Sequence, residues 1–348
     1  MEQKLTDKPS TASSPATTKS IPSHHRRAGL LFRAEQAGLP VLWIVVIVAF
    51  TIAEPGTFLT IGNFSNILGP QAALLALTLA ALLPSINGDF DLSIGALAAL
   101  VAMCIALLNS TMGIPIVLAC VIGLVIGAAA GAVSGAIVVR FGNDPFIVTL
   151  GTGTVFTGIV YAISGSNTIN LSSTDLSQWI YIQKLFGIPI EFYYGLVLLA
   201  IVWYLTTLTP LGQRSVFVGQ SREVSRLSGI RVGRVRFGAF VGAGVLAAVS
   251  GILFLGTTGS ASPSDGASFL LPAYAAVFLG ATSIQPGRFN AIGAAIAVYF
   301  LATAVSGLQI LGAQNYVQQL FYGGALVIAV TLSRIVRKQR ERGSGTKH

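Results

Sequence analysis

The chain has 348 residues, 53% hydrophobic and only 9% charged, with a mean hydropathy of +0.76 and a formal net charge of +9. A soluble domain carries roughly 25% charged residues and cannot hide this much apolar surface, so a water-soluble core is excluded. A bilayer takes up such surface in spans of about 20 residues whose backbone hydrogen bonds close within each helix, so the expected fold is an all-α integral membrane protein of many spans.

Residues 1–35 are rich in Ser, Thr, Pro and Lys and hold no apolar run ending in a cleavage site, which reads as a disordered cytoplasmic tail rather than a signal peptide. Ten apolar runs follow, at 37–53, 70–84, 92–108, 114–139, 145–164, 192–209, 237–256, 270–284, 289–306 and 315–333. The eighth is short and runs into the polar turn GATSIQPGRFN. Together they form an expected transmembrane domain over 36–333, interrupted by a polar loop at 210–236 and followed by a basic tail at 334–348.

Of the 21 basic residues, 18 fall in three clusters beside apolar runs, six each within 4–33, 214–236 and 334–347. That placement is cytoplasmic anchoring by the positive-inside rule, and no nucleic-acid partner is expected. If the N-terminus is cytoplasmic and all ten runs cross, every basic residue but Lys184 lands inside. The expectation is therefore about ten transmembrane helices with both termini cytoplasmic.

In the fourth run Gly123, Gly127, Gly131 and Gly135 recur every four residues, and Gly238 and Gly242 repeat the spacing in the seventh. Such rows let helix backbones approach closely. Cys104 and Cys120 lie inside apolar runs and the three histidines in the tails, so neither a disulfide framework nor a metal site is expected.

No run holds an ionisable residue away from its ends, which counts against a proton-driven carrier, whose relays need buried titratable groups. A neutral, hydroxyl-rich solute needs only Ser, Thr, Asn, Gln, Tyr and aromatic contacts. The chain also lacks the glycine-rich loop ending in Lys and Ser or Thr that cradles nucleotide phosphates. No cofactor is expected on this chain, and any ATP is used by a partner.

The segment 209–237 is the one long polar stretch between two runs on the cytoplasmic side. It predicts a short helix from about Arg222 to Ser228. Ser221 is a good N-cap, Glu223 is an acid in the first turn, and Gly229 is placed to end the helix. Val224 and Leu227 share one face between Arg222 and Arg226. Two readings stand here: a solvated basic loop that anchors topology, or a docking helix for the groove of a cytoplasmic partner.

This loop resembles the coupling loop of the ribose-type, or monosaccharide-type, family of bacterial ABC transporter permeases. NGDFDLSIG (87–95) is similar to the family's Gly-Gly-Ile-Asp-Leu-Ser-Val-Gly stretch, and NDPFIVTLGT (143–152) to its Pro-Pro-Phe-Ile-Ala-Thr-Leu-Gly-Thr stretch. With AVFLGATSIQPGRFNAIGA (276–294), the resemblance covers almost all of 40–333. Asn87 stands where the family commonly has Gly, Asp89 adds a carboxylate where an apolar residue is common, and 283–286 replace a more Gly-rich turn.

The resemblance implies a ten-helix permease subunit of an importer for a monosaccharide or similar neutral polyol in the bacterial inner membrane. Its implied partners are a cytoplasmic ABC ATPase, a periplasmic or lipid-anchored sugar-binding protein, and a second permease copy or paralogue. The ATPase would dock on Ser221, Arg222, Glu223, Val224, Arg226, Leu227, Ser228, Gly229 and Ile230. In NGDFDLSIG, either Asp91 caps the third span or Asn87, Asp89, Asp91 and Ser93 line the pathway. Asn143, Phe146, Thr149 and Phe278 are further pathway candidates, and Phe156, Tyr161 and Tyr274 are aromatics able to stack on a sugar face or to pack against helices or lipid. From a different class, an ATP-independent facilitator or secondary carrier of a neutral solute remains open. It leaves the capped helix unexplained. An intramembrane enzyme lacks a nucleophile with a base partner.

Overall fold

A computed structural model describes residues 24–344, with side chains for 36–331 apart from Ala267. The expected disorder of residues 1–23 and the side chains of the two terminal basic clusters lie outside the described residues.

The chain runs through α1 (His24–Ala53), α2 (Ile61–Leu68), α3 (Gln71–Ile86), α4 (Ile94–Ser110), α5 (Ile116–Phe141), α6 (Pro145–Ser164), the single turn α7 (Asp175–Ser177), α8 (Ile190–Trp203) and α9 (Pro210–Gln220). It continues through α10 (Arg222–Leu227), α11 (Val232–Thr258), α12 (Asp265–Gly280), α13 (Ala291–Ile310) and α14 (Asn315–Ser344). Two minimal antiparallel ribbons join β1 (Ile169–Asn170) to β4 (Ser260–Ala261) and β2 (Lys184–Leu185) to β3 (Ile188–Pro189). Local chemistry sets several boundaries. Asp144 accepts the Phe146 N–H at 2.8 Å ahead of Pro145 to start α6, and Asn290 accepts the Gly293 N–H at 2.7 Å to start α13.

Seven helical segments among the described residues are long and apolar enough to cross a membrane, and α4 and α12 are shorter apolar helices. The chain is an all-α integral membrane protein. α3, α4, α12 and α13 form the centre with α11, and α3 is buried along nearly its whole length. α1, α6 and α8 turn Ile44, Ile52, Ile147, Val155 and Val197 outward, the face that hydrocarbon covers. α3 packs against both α12 and α13, and α4 against α12.

Three expected boundaries are corrected. α1 begins at His24, so the last part of the expected disordered tail (1–35) is helical. α12 starts at Asp265 and ends at Gly280, earlier at both ends than the run at 270–284. The loop at 210–236 contains two helices, α9 and α10, and α11 begins at Val232, which places Arg236 inside a helix and buries it. The arginine had marked the segment as solvated. A partner for its charge, described below, removes that requirement.

The α5 glycine row is a packing surface. A Cβ on Gly123 would meet Val101 and Ile105 of α4, one on Gly131 would lie 2.5 Å from the Phe240 carbonyl oxygen of α11, and one on Gly135 would press on Phe240. α11 answers with Gly244, stacked on Gly127 and Gly131. The expected Gly238–Gly242 pair does not make this contact: nothing lies within 4 Å of a Cβ at Gly238, and Gly242 faces Leu83. Spacing reveals a row of small residues without saying which face meets a neighbour. Gly131→Leu is expected to overpack the α5–α11 seam by roughly 1–3 kcal/mol or more and to lower the yield of monodisperse protein in size-exclusion chromatography. Gly238→Leu is expected to behave as wild type.

Candidate functional site: a pinned turn between two cavities

The turn between α3 and α4, residues 87–93, is held from four directions. On the α12 side, Tyr274 Oη accepts the Asp91 N–H and donates to the Asp91 carbonyl, each at 2.9 Å. From α6, Thr149 Oγ1 accepts the Leu92 N–H at 3.0 Å and donates to the Pro145 carbonyl at 2.8 Å. Within the turn, Asp91 Oδ1 accepts both the N–H and the hydroxyl of Ser93, at 3.0 and 2.6 Å, closing the approach to α4. This is a turn closed by the aspartate on its own backbone rather than a helix cap: Ser93 is the N-cap residue of α4, and no side chain caps the first helical N–H groups.

The fourth fastening is ionic. Arg236 of α11 grips Asp89 bidentately, Nε to Oδ2 at 2.7 Å and Nη2 to Oδ1 at 2.9 Å. Arg222, the first residue of α10, adds Nη2 to Oδ1 at 2.5 Å. The Asp89 side chain has no solvent exposure, whereas that of Arg236 is 11% and that of Arg222 44% exposed. Two arginines from separate elements thus converge on one buried carboxylate, a geometry in which charge-assisted hydrogen bonds are short and directional.

The turn contributes to two cavities. A cleft of about 380 Å³ lies among α4, α6 and α12, with Leu92 of the turn on its wall and the hydroxyls of Thr154, Thr157, Tyr161 and Ser264 around it. α12 starts beside Gly95, in the first turn of α4, which leaves Pro263 and Ser264, in the turn ahead of α12, to line this cleft. A second cavity, about 780 Å³, takes Ser85, Ile86 and Gly88 from the other end of the turn. Thr206, Gln213, Gln220, Gln285 and Asn290 supply most of its polar lining. No residue lines both, so residues 86–92 form the partition between them.

The residues expected on the pathway are placed as follows. Asp89, Asp91, Ser93 and Thr149 are buried within the fastenings of the turn and line neither cavity, because each saturates a backbone or charge partner. Asn87 is buried too, its side-chain amide without a hydrogen-bond partner among the described residues. Asn143 and Phe146 are exposed at the start of α6. Phe278 stacks with Phe90 at 6.0 Å and meets Phe289 edge-on at 5.5 Å, bracing the turn from α12. Of the other aromatics, Phe156 is buried, Tyr274 pins the turn and Tyr161 lines the cleft.

Three features escaped the sequence reading. Thr154, Thr157 and Tyr161 follow one another at helical spacing on α6, a polar stripe in an apolar run that could have been found. Glu191, in the first turn of α8, is buried and accepts the Thr257 hydroxyl of α11 at 2.5 Å. The ion-pair cluster joins positions 133 and 147 residues apart, beyond any local pattern.

α10 carries the predicted cap. Ser221 Oγ accepts the Val224 N–H at 3.3 Å, and Gly229 takes φ +80° past the helix end, a conformation that glycine adopts without strain. Val224 is 59% and Leu227 81% exposed, while Ser225 faces inward and is buried. A short helix thus presents two apolar side chains outward.

A bundle of apolar helices with two open cavities that carry hydroxyl and amide side chains on largely apolar walls, and a capped amphipathic helix on its surface, defines a polytopic membrane protein of the transport class. The family described as "Branched-chain amino acid transport system / permease component" matches over residues 63–330. The D-allose transport system permease protein AlsC of Escherichia coli is 31% identical over 294 residues, covering 84% of this chain and 90% of the relative. The ribose import permease protein RbsC of Bacillus subtilis is 35% identical over the same shares. The autoinducer 2 import system permease protein LsrD of Salmonella paratyphi A is 30% identical over 314 residues, 88% of this chain and 93% of the relative. No solved structure matches. The chain belongs to this family of permease components, among the ribose-type permeases that its motifs resemble, and is a transport subunit rather than an enzyme.

Proposed function

We propose that this chain is the membrane-spanning subunit of an ATP-driven importer for a monosaccharide or similar neutral polyol in the bacterial inner membrane. It crosses the bilayer ten times with both termini inside. A second copy or a paralogue completes the pathway, a periplasmic or lipid-anchored sugar-binding protein delivers the solute, and a cytoplasmic ABC ATPase supplies the energy. The carrying observation is α10: a capped helix with Val224 and Leu227 exposed is more than topology anchoring requires, and it suits the groove of a soluble partner.

In this reading the cleft among α4, α6 and α12 faces outward and receives the solute, whose hydroxyls meet Thr154, Thr157, Tyr161 and Ser264. The larger cavity beside α9 opens inward. Closure of the ATPase dimer displaces α10 and shifts the population between outward- and inward-open packings, with the partition at residues 86–92 changing sides. A facilitator working alone leaves the outward face of α10 without a purpose.

The test is uptake of labelled pentoses and hexoses into vesicles containing this chain, with and without its cytoplasmic ABC ATPase and its sugar-binding protein. Uptake that requires both ATPase and ATP is the expected result. Equal uptake by this chain alone, indifferent to ATP, would return the facilitator.

A further inference from the structure

We propose that Asp89 is a coupling post: Arg236 fixes it to the bundle, Arg222 ties α10 to it, and through it a displacement of α10 reaches the partition between the two cavities. This rests on α10 being the site where the ATPase docks.

The charge arithmetic gives each arginine a different part. One carboxylate is neutralised by one guanidinium, and the bidentate Arg236 pair already does this in a buried setting. The second arginine is surplus to neutralisation and leaves the cluster with net positive charge. It comes from the first residue of α10, with nearly half of its side chain in solvent. Among the described residues, its bond to Asp89 is the one side-chain hydrogen bond from residues 221–230 to any part of the chain outside that segment. α10 is otherwise only six residues long and turns its apolar pair away from the bundle. Arg222 is therefore the firm connection between the docking helix and the interior.

What it connects to is the partition itself. Asp89 follows Gly88, on the wall of the larger cavity, and precedes Leu92, on the wall of the cleft. Its neighbours are braced at the far side by Tyr274 and Thr149. The end of α9 reinforces the line of force, because a side chain at Gly219 would overlap the Ile86 carbonyl, leaving no slack between the loop and the turn. A turn fixed at one end and pulled at the other tilts. A pair of which one arm is half in solvent is the arm that can shift without exposing a buried charge.

The experiment uses the whole transporter, reconstituted in proteoliposomes with its ATPase and solute-loaded binding protein, and compares wild type with Arg222→Gln and Arg222→Lys. Two readouts are taken: co-purification of the ATPase with the permease, and ATP hydrolysed per solute imported. The expected result is that Arg222→Gln accumulates as folded protein and still retains the ATPase but uses about tenfold or more ATP per solute, the size expected for losing one hydrogen bond to a charged partner. Arg222→Lys, which keeps the charge, is expected to recover part of the coupling. An unchanged ratio in Arg222→Gln overturns the coupling post while leaving docking intact. Lost retention of the ATPase in Arg222→Gln would assign Arg222 to the docking surface and overturn it also. Retention of the ATPase by Leu227→Asp at the wild-type level would overturn the docking reading, and the post with it.

Discussion

Leu227→Asp is expected to abolish ATP-driven uptake while the protein inserts and accumulates as wild type. Leu227 is the most exposed large apolar side chain of α10, and Val224 beside it completes the apolar face. Burying a leucine in a partner's groove is worth about 1.5–3 kcal/mol. Replacing it by a carboxylate removes that gain and adds the desolvation of a charge at the centre of the contact. Each 1.4 kcal/mol is about a tenfold change in affinity, so docking weakens by two orders of magnitude or more. The effect on folding is small, because an exposed side chain contributes little to the folded chain. Glu223→Arg, in the first turn of the same helix, adds a charge of the wrong sign for the helix dipole and is expected to act in the same direction. The check is labelled-sugar uptake normalised to protein in the membrane; wild-type uptake by Leu227→Asp would remove α10 from the docking role.

How much of this was legible depends on the range over which the signal acts. α10 could be read residue by residue because Ser221, Glu223 and Gly229 act on the backbone within one turn of themselves. The apolar runs were equally plain, since the length of a span is set by the bilayer and not by its neighbours. The start of α11 was misread for the opposite reason. Arg236 stands in a row of arginines that signals solvent, and it becomes a helix residue in the interior only because Asp89, 147 positions away, takes its charge. An acid in an apolar chain invites a functional role, which is why the same carboxylate is expected on the pathway from sequence alone. Its structural partners are invisible until the fold brings α3, α10 and α11 together. Glu191 and Thr257 repeat the lesson. The α6 hydroxyl stripe is a different case: Thr154, Thr157 and Tyr161 share a helix face that the sequence displays at spacings of three and four residues.

Asp89→Ala is expected to be among the most destabilising single changes in the chain, and the reason is the charge it leaves behind. Arg236 is buried on α11 and donates two hydrogen bonds to this one carboxylate. Removing one partner of a buried pair typically costs about 3–5 kcal/mol, because the remaining ion is neither solvated nor paired. Arg222 offers no relief, having the same sign. The variant is expected to melt well below wild type in detergent, or to fail to accumulate. Arg236→Met should cost less. It removes a charge and leaves Asp89 with Arg222, which reaches Oδ1 from the solvent side. The double variant Asp89→Ala with Arg236→Met is expected to regain much of the stability lost in Asp89→Ala, since apolar replacement of both members of a buried pair is often close to neutral. A positive coupling energy in that cycle would establish that the pair acts as a unit. Additive losses would instead mean that each side chain acts through packing alone. Such a result would leave the turn held by Tyr274 and Thr149, without an ionic anchor. The rescued double variant is also the sharpest background for transport. With the bundle stable and the carboxylate absent, Arg222 has nothing to hold, so a stable but poorly coupled transporter is the outcome that the geometry demands.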